Sequence, residues 1–302
     1  ELTQRPPACV VGFNKMPGLD VYFAADSCFE QRAEQEPRWL RLTGRYRVYA
    51  AFERAVFDPA SSTEVLLIAE PQKDAFQRCY RTPDARLHLL PPWIAPDRKR
   101  VEDRPQVRQD VRDALGVAPD TLLLLQVASN FQTKGLDRTL MAMASLPETW
   151  QPRTKLAIVG QDPSRRCRRL ARRLGLADHV TFLGARNNVM ELMASADLLV
   201  HPARNEAAGV VLIEALVSGL PVVCSGLCGH AGHIRKAQAG IALSEPFQQT
   251  ELNRVLPDML GKDRLTSCST HALAYAADMN VYDMPERAAD VIGSIAARVA
   301  RG

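Results

Sequence analysis

Glu206 and Glu214 are separated by seven residues, and between them the chain runs from loop through Gly209 into the apolar stretch Val210-Val-Leu-Ile213. Gly209 lets the backbone approach a ligand closely, and the free N–H groups of a starting helix attract anions. A phosphate-bearing donor fits such a place. Glu214 would lie along the helix, where its carboxylate can accept two hydrogen bonds from a ribose diol. Glu206 would stay in the loop beside the reacting group. Glutamates flanking a helix start are common in any fold, so the surroundings must decide.

Three further groups bear on that chemistry. In Ser129-Asn130-Phe-Gln-Thr-Lys134-Gly135 a lysine just before a helix start can set an ammonium on a diphosphate, and Gly135 permits the tight turn. The segment lacks the GxxxxGK[ST] pattern of a Walker loop. Gly184-Ala-Arg186-Asn187-Asn188 follows a strand and precedes a helix. Its backbone could meet a base edge and Arg186 could stack on the base, while Asn187 or Asn188 could equally cap the helix. His201 ends a strand beside Pro202 and reads as lining. The chain has no DxD pair, which enzymes that clamp a nucleotide diphosphate through a divalent metal generally need. Lys134, a helix N-terminus and Arg98 are expected to neutralise the diphosphate instead, with no metal and no cofactor.

These groups need a scaffold that brings loops together. From about residue 118, short apolar runs alternate with helical patterns: strands at 121–128, 155–160, 180–183, 197–201, 221–224 and 240–243, with helices at 136–143, 164–174, 189–194 and 210–218. That alternation predicts a doubly wound parallel sheet, whose ligands bind at the carboxyl ends of the strands. The loops 129–135, 184–188 and 201–209 all fall at that edge. Residues 1–95 carry their own α/β pattern, with strands at 8–13, 20–25 and 64–69, and Leu90-Pro-Pro-Trp93-Ile-Ala-Pro96 reads as a hinge. The division expected is 1–95, 96–282 and a C-terminal helix at 283–302 that returns to the first domain. A strand so close to Glu1 further leads us to expect a segment preceding it.

Composition sets limits. A length of 302 residues with 46% apolar content suits about two globular domains. Seven scattered cysteines form no CxxC pair and no zinc ligand set, which favours a reducing cytoplasmic setting. No apolar run approaches the roughly 18–20 residues of a membrane span. In segment 30–57, Trp39, Leu42, Tyr46 and Tyr49 recur at helical spacing, with Arg38, Arg41 and Arg45 beside them on an ideal helix. Such a stripe suits an anionic membrane surface, or it packs on the core with its arginines solvated. A second basic run, Arg165 to Arg173, has no nucleic-acid module near it and reads as a solvated face.

The series Val127-Ala-Ser-Asn-Phe-Gln-Thr-Lys-Gly-Leu-Asp-Arg138, Val159-Gly-Gln-Asp162, Ala196-Asp-Leu-Leu-Val-His-Pro202 and the glutamate-pair segment resembles the family-4 glycosyltransferases of GT-B fold. More narrowly, Val11-Gly-Phe-Asn-Lys-Met-Pro-Gly-Leu-Asp-Val21, Tyr49-Ala-Ala-Phe-Glu-Arg54 and Pro96-Asp-Arg-Lys99 resemble the lipopolysaccharide core glucosyltransferases. The resemblance covers essentially the whole chain. It implies two Rossmann-like domains facing a cleft, with the first incomplete here. It also implies metal-independent, retaining transfer of a hexose from a UDP-sugar to an inner-core heptose of lipopolysaccharide, at the cytoplasmic face of the membrane. Carried over, Glu214 holds the ribose, Lys134 and Arg98 the diphosphate, and Asn130, Arg186 and Asn187 belong to the donor site. Glu206 and the backbone of Ala208, Gly209 and Val210 contact the donor sugar, and Asp26 faces the reacting centre. Asn14 and Lys15 are candidate acceptor contacts, Lys15 toward heptose phosphates. Segment 30–57 matches the region associated with the membrane. Three features depart from the family: its N-terminal glycine-rich loop is not seen, Thr133 stands where arginine is frequent, and Trp93 where glycine is usual. Rival readings are a nucleotide-sugar epimerase or another lipid glycosyltransferase on the same fold, or a non-catalytic membrane-surface module.

Overall fold

The computed structural model describes residues 9–34 and 36–299. They form two compact units: one takes the chain up to Trp93 and again from Asn280, the other is Ile94–Met279. The expected start of the first strand, at Ala8, lies outside the described residues.

In the first unit the strands β1 (Val11–Gly12), β2 (Val21–Ala24), β3 (Glu64–Leu67) and β4 (Leu87–Leu89) form a parallel sheet in that order. The helices are α1 (Phe29–Ala33), α2 (Gly44–Phe57) and α3 (Glu70–Tyr80). Side chains alternate across the sheet. Tyr22, Ala24, Val65 and Leu67 pack with Phe57 and Phe76 on one face, and Val21 and Leu66 point to the other. Segment 30–57 is not one helix, which corrects the continuous stripe expected. Pro37 precedes a separate 3₁₀ turn at Arg38–Leu42, and the Thr43 hydroxyl accepts from Tyr46 N–H at 3.2 Å to start α2 anew.

The second unit opens with α4 (Arg104–Ala114) and proceeds through β5 (Leu122–Val127), α5 (Leu136–Ala144), β6 (Thr154–Val159), α6 (Arg165–Arg173), β7 (Val180–Gly184) and α7 (Val189–Ser195). Then come β8 (Leu198–His201), α8 (Val210–Ser218), β9 (Val222–Ser225), α9 (Ala231–Ala237), β10 (Gly240–Leu243), α10 (Gln249–Met259) and α11 (Lys262–Ala277). The strands are parallel in the order β10-β9-β8-β5-β6-β7. The inner strands β9, β8, β5 and β6 are buried on both faces and rich in Leu, Val, Ile and Ala, while the edge strands β10 and β7 are only partly covered. The winding reverses between neighbours β5 and β8, so the loops leaving these two strands flank the switch point where such sheets bind ligands. The chain then returns to the first unit as α12 (Met284–Val299), whose Ala288 and Ile295 pack with Val21 and Leu66.

Candidate active site

The loop after β5 is shaped by its own backbone. Asn130 accepts from Thr133 N–H through its side chain at 2.8 Å and from Lys134 N–H through its carbonyl at 2.9 Å. Gly135 has φ +69°, and a Cβ there would lie 2.0 Å from the Pro202 carbonyl oxygen, so only glycine fits. The loop after β8 is laced to it. Arg204 donates its backbone N–H to Thr133 O at 2.7 Å, and its guanidinium takes Gln132 O and both Asp137 oxygens at 2.7–2.8 Å. Arg138 donates to the Pro202 and Ala203 carbonyls, each at 3.1 Å.

This lacing brings Lys134 to Glu206. Lys134 Nζ donates to Glu206 Oε2 at 2.5 Å, and His201 Nε2 lies 3.1 Å from the same oxygen. His201 is 1% exposed and its Nδ1 has no hydrogen-bond partner. Because an orphaned N–H costs more than an orphaned lone pair, the proton belongs on Nε2, donating to Glu206. Burial pushes the Glu206 carboxyl up, but the hydrogen bonds from His201 and Lys134 and the Lys134 charge outweigh it and hold the group at about 2. Glu206 is thus a carboxylate throughout the neutral range, suited to accept hydrogen bonds rather than to give a proton.

Gly209, at φ +83°, turns the chain into α8, so that the N–H groups of Gly209 and Val210 stand at the start of a helix beside Glu206. Ala208 is buried, and its carbonyl is fixed by His230 N–H at 2.7 Å. Glu214 lies one turn into α8. Burial pushes its carboxyl up and Arg98, with Nε at 3.6 Å, opposes the rise. The sequence reading assigned Arg98 to the diphosphate; here its neighbour is the ribose candidate. Arg186 and Asn187 are exposed on the turn after β7. Asn188 is the N-cap residue of α7, its side chain reaching Glu191 at 3.0 Å.

In the first unit Asp26 follows β2, 61% exposed, and accepts from the Tyr22 hydroxyl. Lys15 Nζ is 3.1 Å from Asp26, 2.6 Å from the fully buried Glu53 and 3.0 Å from Ser27 O. With its side chain 8% exposed and its ammonium so engaged, Lys15 is a strut behind Asp26 rather than a free phosphate ligand. Asn14 is exposed nearby in sequence. Along segment 30–57, Trp39 and Leu42 are 63% and 73% exposed, and Tyr49 and Phe52 are exposed too. Tyr46, by contrast, packs on Phe29 and bonds Glu30, which also pairs with Arg41. Arg38 is exposed and Arg45 lies over the Tyr49 ring. Among the described residues no three side chains are placed to hold a metal ion.

Sequence reasoning missed three contributors. Arg204 ties the two loops, Glu53 anchors Lys15, and His230 supports Ala208. Arg204 left a signal as a charged residue in a loop already under suspicion, and Glu53 lay in a stretch that carries the family resemblance but was given no role; His230 left none.

A model of the group 1 glycosyl transferases matches residues 107–270. The lipopolysaccharide glucosyltransferase WaaG of Escherichia coli (strain K12) is 48% identical over 293 residues, covering 96% of this chain and 78% of WaaG. The chain belongs to this glycosyltransferase family. A crystal structure of WaaG, described as a glycosyltransferase involved in lipopolysaccharide biosynthesis, superposes at a TM-score of 0.89 with 47% identity, over 96% of this chain and 79% of that one. The fold is therefore GT-B. Anabaena HepE, solved with UDP-glucose, shares that fold alone, at TM-score 0.68 and 20% identity over 93% of this chain and 71% of HepE.

Proposed function

We propose that this glycosyltransferase moves a hexosyl unit from a UDP-sugar to an inner-core heptose of lipopolysaccharide, with retention and without a metal, at the inner face of the cytoplasmic membrane. The observation that carries the donor half is the Lys134–Glu206–His201 cluster at the switch point, beside the N-terminus of α8. There an ammonium and helix N–H groups can take a diphosphate while an ionised carboxylate takes sugar hydroxyls. As the diphosphate binds, Lys134 turns toward it and His201 keeps Glu206 in place. Glu214 accepts the ribose hydroxyls, and Arg98 is released from it toward the phosphates. Asn130, Arg186 and Asn187 complete the donor contacts.

Retention by two carboxylates needs a nucleophile about 5 Å from an acid. Glu206, ionised and tied by two donors, serves neither role well. We therefore favour same-face displacement, in which the departing diphosphate accepts the acceptor's proton. Asp26, with Lys15 behind it, positions the acceptor, and Asn14 is a further acceptor contact. The exposed Trp39, Leu42 and Tyr49 with Arg38 and Arg45 form the membrane contact, and Tyr46 and Arg41 brace it. The test is transfer to heptose-terminated lipopolysaccharide: Glu206→Ala should abolish it, and near-normal turnover would sink the assignment.

A further inference from the structure

We propose that the arginine face of α6, in the second unit and distinct from segment 30–57, docks on an anionic lipid bilayer. The helix reads Arg165-Arg-Cys-Arg-Arg-Leu-Ala-Arg-Arg173, six arginines in nine residues. At about 100° per residue these arginines fall within an arc of about 160°. Cys167, Leu170, Ala171 and Leu174 take the opposite side and pack into the core of the unit. All six arginines are exposed, and among the described residues none has an ion pair. Arg168 alone is restrained, by Ser164 Oγ at 2.9 Å and the Phe182 ring at 4.3 Å.

Beyond Arg168 on Phe182, and Arg172 and Arg173 in the last turn where the helix dipole favours cations, the fold gains little from this arrangement. Arg165 and Arg166 sit in the first turn, where the helix dipole disfavours cations, and no acidic residue occupies that turn. Like charges at i,i+3 and i,i+4 repel along the whole helix. A face whose like charges repel one another, with no acidic partner in its first turn, points to an anion outside the chain. Its shape says which kind. The charges form a convex strip about 13 Å long rather than converging on a pocket, which fits a surface of distributed charge rather than one small anion. Bare arginines without exposed aromatic rings among them offer single-stranded nucleic acid no stacking platform. The choice of a bilayer rests on the proposed lipopolysaccharide acceptor, which is itself lipid-borne.

The experiment is co-sedimentation with phosphatidylcholine vesicles, with and without phosphatidylglycerol, of the chain and its Arg166→Gln/Arg169→Gln/Arg173→Gln variant. Glutamine keeps helix propensity, so the melting temperature should hold or rise. Loss of three surface cations should weaken partition onto the anionic vesicles about a hundredfold, with a shallower salt dependence and no change on phosphatidylcholine alone. Transfer to a soluble, delipidated core oligosaccharide should be unaffected. Unchanged partition onto anionic vesicles would overturn the proposal. So would an equal loss on neutral vesicles, or displacement of the vesicles by duplex DNA at equal phosphate concentration. If the lipopolysaccharide reading fails instead, both proteins lack transfer while the vesicle comparison still reads the surface.

Discussion

One oxygen of Glu206 receives both Lys134 and His201, and this crowding governs how the residue behaves with pH. A carboxylate held at about 2 contributes no acid limb to the rate near neutrality. In Lys134→Ala, with one of its two partners gone, the acid limb of kcat/KM should move up toward the ordinary carboxylate range, and an unmoved limb would contradict the pairing. Glu214→Ala removes hydrogen bonds to a charged acceptor and should weaken UDP binding about tenfold to a hundredfold. Titration calorimetry checks this, and unchanged affinity would deny its ribose role. The glutamate pair was legible in the sequence because its chemistry is local: a glycine, a helix start and two carboxylates in nine residues. The partnership of Glu206 with His201 was not, because a strand-end histidine reads the same whether its ring points at a carboxylate or into the core.

The elements that hold these residues were legible to different degrees. Buried parallel strands announce themselves as apolar runs, and the limits of α8 and β10 follow the sequence reading to the residue. The helices α4, α9 and α10 were missed. α4 carried the signal of an Asp103 cap before Pro105, but its surface is almost wholly polar and its anchor is Arg108 and Arg112 on Asp197, a contact far along the chain. α10 contains Pro257 near its end, which argues against a helix when read locally. In segment 30–57 the aromatic spacing outlasted the helix, because a periodic pattern does not register that Pro37 and Thr43 interrupt the backbone. Gly135 belongs to this scale as well, since it sets how near the two switch-point loops come. Gly135→Ala should cost about 1–3 kcal/mol and weaken donor binding, because its Cβ would press the loops apart. Denaturant titration with a parallel UDP titration measures both, and a variant with native stability would contradict the close approach.

At the scale of the whole molecule, the buried His230 and the half-buried Glu206 both contribute to the response to acid. Burial and the neighbouring His233 hold His230 at about 4, below the ordinary 6.5. The unfolded chain therefore takes up that proton first, and stability present above about 6.5 is lost as pH falls toward 4. Glu206 follows with its own loss between 4.5 and about 2. Each group contributes at most about 3 kcal/mol. Denaturation followed from pH 7 to pH 3 should show continuous loss, and a flat profile above pH 5 would contradict the burial of His230. No helix among the described residues is long and apolar enough to cross a membrane; the membrane contact proposed for segment 30–57 is tested separately. Trp39→Ala with Leu42→Ser should lower partition onto vesicles without altering UDP affinity. The central claim is tested most directly by incubating the protein with labelled UDP-glucose and heptose-terminated lipopolysaccharide in EDTA, and determining the anomeric configuration of any hexose transferred. The account predicts an α-linked hexose on the heptose, made without metal and lost in Glu206→Ala. Epimerised or unchanged UDP-sugar with no label in the lipopolysaccharide, or a β-linked product, would contradict it.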